Sequence, residues 1–96
     1  MSSKQILTIL KYNLDIIPDD TSRDEYLLQL ISAARALIER EGATLEETIE
    51  DGQLIVMYAA YLYRKRATDE PMPRMLRWAL NNRIFSEKMK AEDDEA

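Results

Sequence analysis

A chain of 96 residues has room for one small domain with one core, because the fraction of surface buried on folding falls quickly as a domain shrinks. At 46% hydrophobic and 32% charged, with net charge −5, one Phe, one Trp and two glycines, the composition suits a compact helical domain better than a disordered chain or a sheet. Cys and His are both absent, which removes disulfides, thiolate nucleophiles, the commonest general base and the favoured zinc ligands together. No Gly-rich phosphate loop or other catalytic motif replaces them, so no catalytic residue, cofactor or metal is expected.

The opening "MSSKQILTILKYNLDII" lacks a continuous apolar leader core. No apolar run in the chain approaches the roughly 20 residues of a membrane span, so an unexported protein without a membrane segment is expected. Instead, Ile6, Leu7, Leu10, Leu14 and Ile17 fall near one face at a 3.6 period and predict a first helix from about Ser3 to Ile16, stopped by Pro18 and "DDTS". Ser22 and Glu25 have capping-box spacing, and the acidic Asp24 and Glu25 suit a helix N-terminus, so a second helix is placed there. Its stripe of Leu27, Leu30, Ile31, Ala34, Leu37 and Ile38 faces a core, while Glu25, Gln29, Ser32 and Glu39 face away. Gly42 stands where a left-handed residue commonly ends a helix. In the acidic connector that follows, Thr44 and Glu47 again have capping-box spacing, predicting a short helical turn before a break at Asp51-Gly52.

The third helix, about Gly52 to Ala67, carries "LIVMYAAYLY", apolar on nearly every side, as expected of a central strut buried by several neighbours. Tyr58 and Tyr61 lie near one face and Tyr63 points away from Tyr61. Arg64, Lys65 and Arg66 are consecutive, so on a helix they project about 100° apart and form a charged C-terminal turn rather than a flat phosphate-binding face. After "ATDEPMP" a fourth helix starts near Pro73. Met75, Trp78, Ala79, Phe85 and Met89 share one side of it, and Leu76, Leu80 and Ile84 form a second apolar row. That surface is wider than one helix normally buries in a small bundle. Arg74, Arg77, Asn81 and Lys88 project within about 60° of one another as a polar stripe, read as candidate partner-binding residues.

Charge is polarised along the chain. Residues 1–59 carry 5 basic and 11 acidic side chains, net −6; residues 60–90 carry 8 basic and 3 acidic, net +5; residues 91–96 add four acids in an expected solvated, disordered tail. The expected architecture is therefore all-α, a single domain over 1–90 built as a bundle of about four helices with short loops. Its acidic front half and basic last helix could associate head to tail between copies, closing into a ring.

The combination "DEYLLQLISAARALIEREG", "YAAYLYRKR" and "MPRMLRWALNNRIF", over about residues 3–90, resembles the small head-tail connector proteins of tailed bacteriophages, also described as head-completion or DNA-packaging proteins. The resemblance implies an all-α adaptor without a cofactor or a reaction. It implies on the order of a dozen copies in a cyclic ring beneath the portal vertex. The ring would extend the DNA channel and present a surface to a stopper or tail protein, at the head-tail interface of a virion made in the bacterial host cytoplasm. The short "ATDEPMP" leaves no long loop for contacts between the last two helices. With net charge −5 and pI near 4.7, little binding to linear duplex DNA is expected at physiological salt, and DNA would pass without tight contact. The alternative is a small helical protein-interaction or regulatory module outside any virion. Against a helix-turn-helix regulator stand the long "GATLEETIED" connection and a third helix too apolar to enter a groove.

Overall fold

A computed structural model of the chain describes residues 1–95, with side chains described through residue 90. It is an all-α bundle of four helices, α1 (Ser3–Asn13), α2 (Asp24–Arg40), α3 (Ile49–Lys65) and α4 (Arg74–Glu95), with no strand among the described residues. Helix α4 runs on through Glu95, into the segment expected as a disordered tail at 91–96, whose side chains lie outside the described ones.

Helix α3 is the strut around which the rest is arranged. It packs against α1, α2 and α4, and Leu54, Ile55, Val56, Tyr58, Ala59 and Ala60 are all buried. Ile6 and Leu10 of α1, Leu27, Ile31, Ala34 and Ile38 of α2, and Leu76 and Leu80 of α4 complete one continuous core. The α2 stripe is buried or half-buried at all six expected positions, and Glu25, Gln29, Ser32 and Glu39 are exposed.

The ends of the helices depart from the expected ones, each for a local reason. Helix α1 stops at Asn13, three residues early, because Asp15 adopts a left-handed conformation, φ 58°. The Ile16 amide then donates to Lys11 O at 2.9 Å and the Asp15 amide to Tyr12 O at 3.2 Å, the paired bonds of a Schellman turn. The turn swings Ile16 into the core and leaves Ile17, expected on the core face, 70% exposed. Asp is one of the few side chains that tolerates this backbone, at a cost on the order of 1 kcal/mol. Asp15→Gly should therefore shift stability by less than about 0.5 kcal/mol, relief of strain offsetting unfolded-state entropy, whereas Asp15→Val should cost about 1–2 kcal/mol. Urea denaturation of the two variants checks the pair.

The capping box expected from Ser22 and Glu25 does not form. Ser22 turns back instead, its hydroxyl and amide both donating to Asp20 Oδ1 at 2.6 and 3.0 Å, and α2 starts from Arg23 with no side-chain cap. These two bonds hold the exposed Asp20 carboxyl below its ordinary value. A capping box does close α1, where Ser2 Oγ accepts from the Gln5 amide at 3.2 Å and Gln5 Oε1 from the Ser2 amide at 2.9 Å. Thr44 and Glu47 likewise make no box. Thr48 caps α3 by accepting from the Asp51 amide at 3.1 Å, so the helix begins at Ile49 and Asp51-Gly52 sits inside its first turn rather than at a break. Gly42 ends α2 as expected, with φ 119°. An added Cβ there would meet only Ile84 at 3.9 Å, so backbone angle and not space requires the glycine.

Two buried charges tie the bundle together. Lys11 of α1 is 5% exposed. Its ammonium donates to Pro18 O at 3.2 Å and Asp20 O at 2.9 Å, and pairs with Asp24 in the first turn of α2. Asp24 Oδ1, itself buried, has no partner but that ammonium. The α1–α2 loop is thus wrapped around one cation, whose partner Asp24 stands at the anion-favouring start of α2.

Candidate functional site

Helix α4 presents two faces of opposite character. Leu76 and Leu80 are buried and Ile84 is half-buried against the core, forming the inward row. The other row points to solvent: Met75 is 69% exposed, Trp78 65%, Phe85 64% and Met89 46%, while Ala79 is half-buried at its margin. A helix in a four-helix bundle turns one stripe to the core, and this one carries a second stripe that nothing among the described residues covers. Burial of one aromatic side chain is worth about 1.5–3 kcal/mol, so leaving Trp78 and Phe85 in water is unfavourable for an isolated chain.

The sequence-predicted stripe runs along the edge of this row. Arg74, Arg77, Asn81 and Lys88 are all exposed on one unbroken helix. Arg77 Nη1 donates to Glu41 Oε1, 3.1 Å away at the end of α2, so part of its charge serves the contact between the two helices. Arg74, Asn81 and Lys88 make no ion pair or side-chain hydrogen bond among the described residues. The same Glu41 charge, together with burial as the larger cause, pushes the Tyr58 phenol above its ordinary value.

On the other side of the outward row, α4 and the first turns of α3 enclose an open cleft of about 680 Å³. Its α3 wall includes Ile49, Gln53 and Met57, and its α4 wall Trp78, Asn82 and Ser86. Ile49, at 71% exposed, and Trp78 stand as its apolar lips. The rim beside Ile49 is acidic, with Glu46, Glu47 and Glu50 exposed; Lys90 lies 3.8 Å from Glu46, and the Met1 ammonium donates to the Glu47 carbonyl at 2.8 Å.

The floor of the cleft is a polar anchor absent from the periodic reading. Arg83, placed by α4, donates from Nε to Asp51 Oδ1 at 2.7 Å, from Nη2 to Thr44 O at 2.7 Å and Asp51 Oδ2 at 3.3 Å, and from Nη1 to Glu87 Oε2 at 2.8 Å. Asp51, 2% exposed, also accepts from the Glu46 amide at 2.8 Å, and Glu87 Oε1 accepts from the Thr44 amide at 3.2 Å. Each hydrogen-bonding group of the guanidinium fork is used. The Asp51 bonds push Arg83 far above its usual range, and the Arg83 and Thr44 bonds hold Glu87 below its ordinary 4.5. One side chain thereby locks α4, the start of α3 and the α2–α3 connector into a fixed angle, which sets how the outward row is presented. The only sequence signals were a lone basic residue between the apolar rows and an Arg-Glu pair at i, i+4.

The basic run at the end of α3 is splayed as helical geometry requires. Arg64 donates to Asn13 O and Oδ1, both at 3.2 Å, capping the end of α1. Lys65 lies over the Tyr61 ring at 5.6 Å, and Arg66 over Tyr63 at 4.2 Å and Tyr26 at 5.2 Å. Tyr63 OH accepts from Arg23 at 2.9 Å, so the half-buried tyrosine binds the start of α2 to the end of α3. These three bases are engaged within the monomer in different directions.

Among the described residues no group of three or more acidic, His or Cys side chains could hold a metal ion, and no helix is long and apolar enough to cross a membrane. No family model, curated protein or solved structure matches the chain.

Proposed function

We propose that this chain is a head-tail connector of a tailed bacteriophage, a non-enzymatic adaptor that assembles as a ring under the portal vertex. The ring extends the DNA channel and joins the packaged head to a stopper or tail protein. The observation that carries the reading is the outward row of α4, four large apolar side chains exposed opposite the core and edged by Arg74, Arg77 and Lys88. A surface of that kind suits a protein partner, apolar area supplying affinity and the flanking charges register and orientation. The polarised charge of the chain supports association between copies, and the resemblance of "YAAYLYRKR" and "MPRMLRWALNNRIF" to connector sequences supplies the biological setting.

In this role no cofactor is needed, and the acidic balance of the chain lets duplex DNA pass through the lumen without adhering to its wall. The protein would be made in the host cytoplasm and reside at the head-tail interface of the virion. Reversing Arg74 and Arg77 to Glu should weaken ring or portal association at least about tenfold. The monomer should lose less than about 1 kcal/mol, the share of the exposed Arg77 contact with Glu41. Sedimentation, with negative-stain images in the presence and absence of portal, measures both halves of this expectation. Unchanged assembly would remove the stripe from the interface.

A further inference from the structure

The outward row meets the α3–α4 cleft at Trp78, but its Phe85–Met89 end lies outside the cleft, and the charges beside the two are opposite. Phe85 and Met89, one turn apart on α4, are flanked by Lys88, whereas the lips of the cleft, Ile49 and Trp78, lie beside Glu46, Glu47 and Glu50. We infer that the cleft of one copy receives the Phe85–Met89 segment of α4 from the next copy, a heterologous contact in which Lys88 faces the acidic rim. This inference rests on the self-assembly proposed above and names the two surfaces that would make it.

Three observations select a second copy as the occupant. The alternative self-contact, α4 laid against α4, would bring Arg74, Arg77 and Lys88 of two chains together, and like charges facing one another are unfavourable. Pairing α4 with the start of α3 instead sets cations against Glu46 and Glu50; among the described residues Glu50 makes no ion pair and Glu46 only the long Lys90 contact at 3.8 Å, while the Met1 ammonium is taken up by the Glu47 carbonyl. The sizes also correspond. From Ile49 to Met57 the α3 wall runs about 12 Å, more than the roughly 6 Å, about one turn of helix, from Phe85 to Met89. Finally, Arg83 fixes α4 to α3 at the floor of the cleft, so acceptor and donor surfaces are held in one rigid relation, as ring closure by repeated rotation demands.

The absence of cysteine allows a direct test. Under mild oxidation, Ile49→Cys mixed with Phe85→Cys should give a covalent dimer and no larger species, while the double variant I49C/F85C should give a ladder of oligomers. Either single variant alone should form no covalent species. A dimer from F85C alone would overturn the inference in favour of an α4-on-α4 contact. Absence of a 49–85 cross-link in a protein that still sediments as an oligomer would overturn it while leaving the ring reading intact. Chains that remain monomeric at millimolar concentration, alone and with portal, would overturn both. As a second measurement free of the cysteine substitutions, Phe85→Asp should weaken association about 30-fold or more with an unchanged denaturation midpoint. Equal association of F85D and wild type would also count against the contact.

Discussion

Arg83→Met is expected to lower the stability of the monomer by about 3–5 kcal/mol, because it leaves the Asp51 carboxylate buried without its cation. A domain of this size has a total stability on the order of 5–14 kcal/mol, so the variant should unfold at a much lower urea midpoint. Packing is not the cause, since Met fills much of the same space. The charge is, and the double variant R83M/D51L, with an apolar pair in place of the ionic one, should recover at least half of the loss. Arg83→Lys should fall between, retaining the charge but losing the fork that reaches Asp51, Thr44 O and Glu87 at once. If R83M and R83M/D51L are equally unstable, the guanidinium acts through some other contact.

The same network gives the fold a sign of pH dependence. Glu87 has its folded value below the ordinary 4.5, because ionisation gains Arg83 and Thr44 as partners. Its contribution is therefore complete above the unfolded value and is lost as pH falls through the lower folded one. Asp20, shifted the same way by Ser22, adds in the same direction. The urea midpoint should decline on acidification below about pH 4.5, and Glu87→Gln should flatten that decline. A slope identical in E87Q and wild type would exclude Glu87 as its source.

Lys11→Met should cost about 2–4 kcal/mol, the second large effect. Its ammonium is the common partner of Pro18 O, Asp20 O and Asp24, and removing it strands a buried carboxylate oxygen that has no other contact. Most of the effect should be coupled to Asp24. In a double-mutant cycle with Asp24→Ala, the pair should show an interaction energy of about 1–3 kcal/mol. The loss should also be local: amide exchange in the Pro18–Arg23 loop and the first turn of α2 should accelerate before that of α3. Uniform acceleration across all four helices would mean that the lysine acts on the whole bundle and not as a clamp on this loop.

Neither the buried Lys11 nor the half-buried Arg83 is singled out by the sequence, since a basic residue on an amphipathic helix carries no sign of the partner it will meet. Their burial depends on segments that arrive from elsewhere. Asp51 lies 32 residues from Arg83, and the loop that covers Lys11 does so only because Asp15 turns the chain left-handed. Caps show the same competition at short range. Ser22 had the spacing for a box with Glu25, but Asp20 offered its hydroxyl and amide a carboxylate two residues away. Thr48, not Thr44, capped α3 because the helix starts at Ile49, where its oxygen meets the Asp51 amide.

What the sequence determined by itself is the set of helices, the core-facing stripe of α2 and the presence of a surplus apolar row on α4; which of the two α4 rows turns inward was decided by packing. A 3.6-residue period encodes burial along a single element, and Trp78 and Phe85 lie too far around the axis from Leu76 and Leu80 for one contact to bury both. Gly42 as the end of α2 and the splay of Arg64, Lys65 and Arg66 follow from backbone geometry in the same way. Tertiary structure alone decided which distant polar groups pair, as Arg83 with Asp51, and that α3 and α4 part to leave a cleft beside the outward row. The reason is that a hydrogen bond is chosen among all donors and acceptors within about 3 Å in space, and a linear pattern does not contain that neighbourhood.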